Sequence, residues 1–222
     1  MTHTDEAYEL LKRAILVCEL APGQELRELG LVETTGLSRG AVRGALGRLV
    51  TDGLVDLRPR KGYRVTSLDL ADVREVFEMR RLLEPYAVEL AAQRAPREAV
   101  EALHDLAHAT YNPADRRSYE QYIVDNREFH VRIAEAAGNR RLAQALRSLL
   151  EDMQRLFFLS VGARGSVGER HEHHDLYDAV LIGDPVRARA LCEAQIEQAR
   201  ARVVDALLGA RTLAGSDSGS VL

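Results

Sequence analysis

From Leu68 to about residue 208, apolar residues recur every three to four positions, the period of a helix with one buried face. The period breaks at Pro96, Asn112-Pro113, Gly138, the Gly162 to Gly168 stretch and Gly183-Asp184-Pro185, residues that punctuate helices by lacking an N–H or by freeing the backbone. Helices are therefore expected over 69–92, 97–109, 118–137, 140–159, 169–182 and 185–208. A chain that spends some 140 residues this way, with no β-prone alternation among them, is constrained to an all-helical bundle. The small, polar end of the chain, residues 210–222, reads as a disordered tail.

The first 67 residues follow another pattern. Leu11, Ala14, Ile15 and Cys18 mark one helix over residues 5–20, ended by Pro22-Gly23. A short helix from Arg27 to Thr34 leads into "TTGLS", in which Gly36 suits a tight turn and Ser38 suits the cap of the next helix. That helix, from Arg39 to Asp52, buries Val42, Ala45, Leu46, Leu49 and Val50, and Gly53 ends it. "LVDLRPRKGYRV" then gives two β-prone runs around Pro59-Arg60-Lys61-Gly62, a hairpin. Helix, helix, tight turn, helix and basic hairpin form a winged helix-turn-helix, so the expected division is 1–67 for a DNA-binding domain, 68–209 for the helical domain and 210–222 for the tail.

Charge points the same way. The chain carries a formal net charge of −4, yet residues 36–66 hold seven basic side chains against Asp52 and Asp56, a local +5. One basic face on an acidic body suits phosphate contact by one domain and a separate task for the other, although on charge alone an ordinary solvated surface is the favoured reading. Arg39 and Arg43 lie one turn apart on the side of their helix opposite the core and can reach a duplex. Gly40, Gly44 and Gly47 share that side, at a cost of roughly 3 kcal/mol in helix propensity. Two readings of them stand: close approach of the helix backbone to DNA, or a marginal helix held by tertiary packing.

No run of eighteen apolar residues occurs, and the first twenty residues are charged at Asp5, Glu6, Glu9, Lys12 and Arg13, so no membrane segment is expected and the chain reads as cytoplasmic. Cys18 and Cys192 read as separate reduced thiols.

These motifs resemble a known family. The pattern "LAPGQEL…GLSRGAVRGALGRLVTDGLVDLRPRKGYRV" resembles the DNA-binding domain of GntR-type bacterial transcription regulators, and "VREVFEMRRLLEPYAVELAA…NREFH…HHDLYDAVLIGD" resembles the FCD ligand-binding domain of their FadR subgroup. The resemblance implies that Arg39, Arg43, Arg60, Lys61 and Gly62 contact double-stranded DNA, and that a homodimer reads a near-palindromic operator. Where the family has Thr and Pro after the Ser-Arg pair and Glu after the second Arg, this chain has Gly40-Ala41 and Gly44, which shifts base reading onto the two arginines.

The histidine-rich stretch "HEHHD", residues 171–175, raises the question of a metal. By helical spacing His173 faces the core with Leu176 and Val180; His171 faces solvent, and His174 is intermediate. Asn126 and His130, four residues apart, share an inward face with Ile123, Ile133 and Ala137. The resemblance implies a metal site in some members, with its ligand positions at Asn126, His130, His173 and Gln195; two of them are amides, weak partners for zinc, nickel or manganese. The pocket is read either as a degraded metal site held by His130, His173 and Asn126 or, favoured, as a metal-free pocket, against the plainer reading of satisfied core polar residues that line no functional cavity. Its effector-binding set is Arg80, Asn126, His130, His173 and Gln195, with Glu84 as the intrahelical partner of Arg80. His104 and His108 read as a surface pair.

The expected function is a ligand-responsive DNA-binding repressor, not an enzyme; the resemblance implies an effector that is an organic acid, sugar acid, amino acid or fatty-acid derivative. Two other readings compete. A metal-dependent hydrolase would need an open metal position and a base in the His130/His173 pocket, and position 175 is Asp where an HExxH motif needs His. A winged-helix protein-interaction module would use the basic domain on a partner other than DNA.

Overall fold

The computed structural model describes residues 2–112, 114–164 and 173–216, the side chains of 116, 160–164 and 208–216 aside. The chain divides into two compact units, Met1–Asp69 and Leu70–Leu222.

In the first unit α1 (His3–Leu16) is followed by β1 (Glu25–Leu26), α2 (Glu28–Thr35), α3 (Arg39–Thr51), β2 (Val55–Arg58) and β3 (Gly62–Val65). α1 starts on a capping box: the Thr2 hydroxyl accepts from the Asp5 N–H, and the Asp5 carboxylate accepts from the Thr2 N–H. It stops short of the expected residue 20, because Cys18 turns the chain at φ 56° well before Pro22. Gly36, at φ 70°, closes α2, and the Ser38 hydroxyl caps α3 by accepting from the Ala41 N–H. β3 lies between β1 and β2, antiparallel to both, with Leu26 opposite Tyr63 and Val55 opposite Val65. Ile15, Val42, Ala45, Leu46, Leu49 and Val65 are fully buried in one core, joined by Leu11, Leu26 and Val55. Each large member contributes about 1.5–3 kcal/mol by leaving water, which is what holds α3 to α1 and to the sheet.

The second unit comprises seven helices among the described residues: α4 (Leu70–Arg94), α5 (Arg97–Glu101), α6 (His104–Ala107), α7 (Arg116–Ala136), α8 (Arg140–Arg164), α9 (His174–Leu181) and α10 (Pro185–Ser216). α4 packs on α7, α8, α9 and α10, so its faces are buried on several sides. Phe77, Val88, Phe129, Ile133, Leu146, Met153, Leu156, Ile196 and Val203 fill the space between them.

Three sequence expectations shift. The helix expected over 97–109 is two, because the chain tightens at Ala102 and Leu103, where Leu103 N–H donates to Val100 O at 2.9 Å. α8 continues through Gly162 to Arg164. α10 continues to Ser216, through helix-forming Ala, Arg and Leu at 210–214 that were assigned to a disordered tail; residues 217–222 lie outside the described residues. Cys18 and Cys192 are both free thiols, Cys192 fully buried.

Candidate DNA-reading surface and effector pocket

The two units each carry one candidate site. On the first, the three arginines of α3 have different surroundings. Arg48 is fixed from α1: its Nη1 donates to Asp5 Oδ1 at 2.8 Å and its guanidinium stacks 3.8 Å from the centre of the Tyr8 ring. Tyr8 in turn donates from its hydroxyl to Asp52 at 2.5 Å. The hydrogen bonds from the Thr2 N–H and hydroxyl, and then the Arg48 guanidinium, hold the Asp5 carboxyl down at about 2. Arg39, with its side chain 68% exposed, donates from Nε to Glu28 Oε2 at 2.9 Å. Arg43 is exposed and makes no ion pair among the described residues.

The hairpin tip is equally open. Arg58 pairs with Gly62, and Pro59, Arg60 and Lys61 form the loop, closed by Lys61 N–H donating to Arg58 O at 3.0 Å. Gly62 has φ 89°, and a Cβ there would stand 3.1 Å from the Leu26 carbonyl, so both the turn and the packing require glycine. Arg60 sits at φ 65°, an unfavourable region for a side chain other than glycine, asparagine or aspartate, at an exposed tip. Arg58, Arg60 and Lys61 have no carboxylate partner among the described residues. Arg39, Arg43, Arg60, Lys61 and Gly62, singled out from the sequence, thus lie on α3 and the hairpin, with their charges exposed.

The three glycines of α3 separate. A Cβ at Gly44 would lie 2.9 Å from Thr4 Cγ2, so the N-terminal turn of α1 occupies the space beside it. Gly40 and Gly47 face open space. At Gly44 the close approach is to α1, not to a duplex.

In the second unit Arg80, Asn126, His130, His173 and Gln195 line one small cavity with Phe157 and Ala199. Five elements supply it: α4, α7, α8, the residue that precedes α9, and α10. The space open within it is about 10 Å³, enough for about one water molecule and far below the several hundred Å³ typical of sites for drug-sized ligands. His130 is 7% and His173 3% exposed, and their Nε2 atoms are 2.9 Å apart, one ring donating its N–H and the other accepting. His173 is the N-cap of α9 rather than a residue within it, and Phe129 stands edge-on against its ring, 4.7 Å between centroids.

Arg80 is 4% exposed and forks onto Glu84, itself 2% exposed: Nε donates to Oε1 at 2.5 Å and Nη2 to Oε2 at 3.1 Å. Nη1, on the remaining corner, is buried with no hydrogen-bond partner among the described residues. Glu84 Oε2 stands 3.8 Å from His130 Nδ1, beyond hydrogen-bond reach. Burial pushes the nearby Cys192 thiol well up, and the Glu84 carboxylate pushes it further.

This donor set does not fit a resident divalent metal. Nε2 atoms on one tetrahedral zinc stand about 3.3 Å apart, a small adjustment from the pair here, so spacing is not the obstacle. Chemistry is: two imidazoles face two neutral amides, Glu84 is held by Arg80, and a guanidinium lines the same cavity. Among the described residues no group of three His, Cys, Asp or Glu side chains is placed to hold a metal.

Of the rest of "HEHHD", His171 and Glu172 lie outside the described residues, and His174 is half-exposed. His104 and His108 are exposed and stacked, 4.2 Å between ring centroids. No helix among the described residues is long and apolar enough to cross a membrane. No sequence signal places Phe157 or Ala199 at the cavity; for Glu84, which lies behind Arg80, the i,i+4 spacing was the available signal.

Residues 3–65 match the family described as "Bacterial regulatory proteins, gntR family", and residues 75–198 match the FCD domain. The HTH-type transcriptional regulator Mce2R of Mycobacterium tuberculosis is 29% identical over 224 residues, covering 92% of each chain. The HTH-type transcriptional repressor GlaR of Escherichia coli is 28% identical over 195 residues, 84% of this chain and 89% of that one. Among solved structures, E. coli McbR/YncC shares the fold at a TM-score of 0.80 and 24% identity, over 92% of this chain and 98% of its own.

Proposed function

Since this chain belongs to the FCD-domain branch of the GntR family of bacterial regulatory proteins, we propose that it is a repressor released or engaged by a small carboxylate bound at Arg80. Regulators of this family bind DNA operators as dimers and are not enzymes. In the reading advanced here, Arg39 and Arg43 enter the major groove, Arg60, Lys61 and Gly62 follow the backbone or minor groove, and the two-fold dimer reads a near-palindromic site. The relative named a repressor supports the sign of regulation.

One observation carries the effector assignment: the Nη1 of Arg80, a buried cationic donor with no hydrogen-bond partner among the described residues, in a cavity also lined by His130, His173, Asn126 and Gln195. A buried donor left unsatisfied is costly, and a carboxylate oxygen satisfies it with a charge-assisted bond. The cavity as it stands has room for about one water molecule, so an acid enters only as the surrounding side chains part, and the amides and imidazoles then face the rest of a small, polar acid. No metal has a part in this reading. The effector changes operator affinity only by its differential affinity for two arrangements of the protein.

The test is a thermal-shift and calorimetric screen of short hydroxy-, keto- and dicarboxylic acids, each against its neutral amide. The expected result is stabilisation by an acid and not by its amide, lost in Arg80→Met. Equal stabilisation by acid and amide, or an unchanged response in Arg80→Met, refutes the carboxylate site.

A further inference from the structure

We propose that Glu28 is a positioning residue for base recognition: its carboxylate holds Arg39 by one edge of the guanidinium and thereby sets which base pair α3 discriminates. The proposal rests on the reading of α3 as the DNA-facing helix. Glu28 opens α2 and Arg39 opens α3, eleven residues later and across the turn at Gly36, and the bond between them is Nε to Oε2 at 2.9 Å. Glu28 is the anchored member, its side chain 19% exposed against 68% for Arg39.

The chemistry follows from which N–H groups are taken. A guanidinium has a side-on edge, Nε with one terminal nitrogen, and an end-on edge made of the two terminal nitrogens. With Nε held by Glu28, the end-on pair is left to a ligand. That pair only donates, so its match in the major groove is a base with two adjacent acceptors, and guanine alone presents them, at O6 and N7. An exposed pair of this kind adds little to folding stability. Its effect falls on Arg39: restricting a long side chain to one direction removes ordering entropy that base contact would otherwise have to supply. Arg43, four residues on, has no such partner among the described residues and can follow a phosphate or a base.

A carboxylate beside the duplex also repels phosphates whatever the sequence. Glu28 therefore has a two-signed signature, raising discrimination at one guanine while lowering affinity for DNA in general. A residue acting only through the stability of α2, or only through its charge, does not have that signature.

The experiment uses the full chain. Duplexes selected by the wild-type protein from a random-sequence pool give a preferred site, and every guanine in it is then replaced singly. Wild type, Arg39→Ala, Glu28→Ala and Glu28→Gln are titrated against this set and against an unselected duplex, at two salt concentrations. Arg39→Ala should flatten the preference at one guanine per half-site by about 5- to 150-fold. Glu28→Ala should flatten the same guanine by roughly tenfold while binding the unselected duplex at least as tightly as wild type. Glu28→Gln, which keeps an acceptor for Nε without the charge, should recover much of that preference. Glu28→Ala that retains the full preference overturns the proposal, as does Glu28→Gln that behaves like Glu28→Ala. If Arg39→Ala changes no base preference, the DNA-facing reading of Arg39 fails first, and the role of Glu28 falls with it.

Discussion

Replacing Arg80 by methionine should be far more damaging than replacing Arg80 and Glu84 together. The two side chains are 4% and 2% exposed and share two hydrogen bonds, at 2.5 and 3.1 Å. Removing the guanidinium leaves the Glu84 carboxylate inside the bundle, where water cannot reach it and the nearest cation candidate, His130 Nδ1, is 3.8 Å away. Breaking a buried pair from one side costs about 3–5 kcal/mol, which for a helical unit of about 150 residues lowers the melting temperature by roughly 6–20 °C. Replacing both by Met and Leu removes the stranded charge along with its partner, and such replacements fall between neutral and about 4 kcal/mol stabilising. Urea unfolding of wild type, Arg80→Met, Glu84→Leu and the double variant closes a cycle whose coupling should exceed about 3 kcal/mol. The double variant should also lose the response to a carboxylate, which separates the folding role of the pair from the binding role of Nη1. A single variant costing less than about 1 kcal/mol refutes the reasoning, because Glu84 would then have found water or another cation.

Acid should weaken the first unit through Asp5, whose carboxyl is held at about 2 in the folded chain, below its unbonded value of 3.8. A depressed carboxylate contributes stability that is complete above its unfolded pKa and is lost as pH falls through the folded one, so the loss belongs between about pH 4 and about 2; Asp5→Asn should flatten the unfolding-versus-pH curve there and nowhere above it. Gly47→Ala should stabilise α3 by about 1 kcal/mol, since its Cβ meets open space, whereas Gly44→Ala should gain less because its methyl must displace Thr4; equal gains in urea unfolding would contradict that packing. Elemental mass spectrometry on protein purified without chelators or a histidine tag should find zinc, nickel and manganese well below one per chain, before and after incubation with each ion, and stoichiometric metal would overturn the metal-free reading of the His130 and His173 pair.

What the sequence disclosed and what it withheld divide by the range of the interaction. The face of a residue on its own helix follows from a period of 3.6, so Val42, Ala45, Leu46 and Leu49 were assignable to the core of α3, and Asn126 and His130 to an inward face, without knowledge of any other helix. Turn chemistry is equally local: Gly36, Ser38 and Gly62 stand where positive φ or a capping hydroxyl is needed. What meets across an interface is not periodic in either partner. Nothing in the sequence near Gly44 says that Thr4 lies against it, and nothing in α2 says that Glu28 reaches Arg39 beyond the turn. The same limit explains the pocket. Asn126, His130 and His173 could be ranked as inward-facing one by one, but that His130 and His173 bond to each other, and that Arg80 turns two nitrogens to Glu84 and leaves the third unbonded among the described residues, depends on how α4, α7 and the start of α9 are rotated about their axes. A cavity of this size tolerates little error in those rotations: an arc of about 1 Å at the helix surface would part the two imidazoles, now 2.9 Å apart. Its chemistry is therefore a property of the packing, and substitutions such as Phe157→Ala or Ala199→Leu, which change the packing and leave every polar group in place, should alter acid binding as strongly as loss of a polar side chain does.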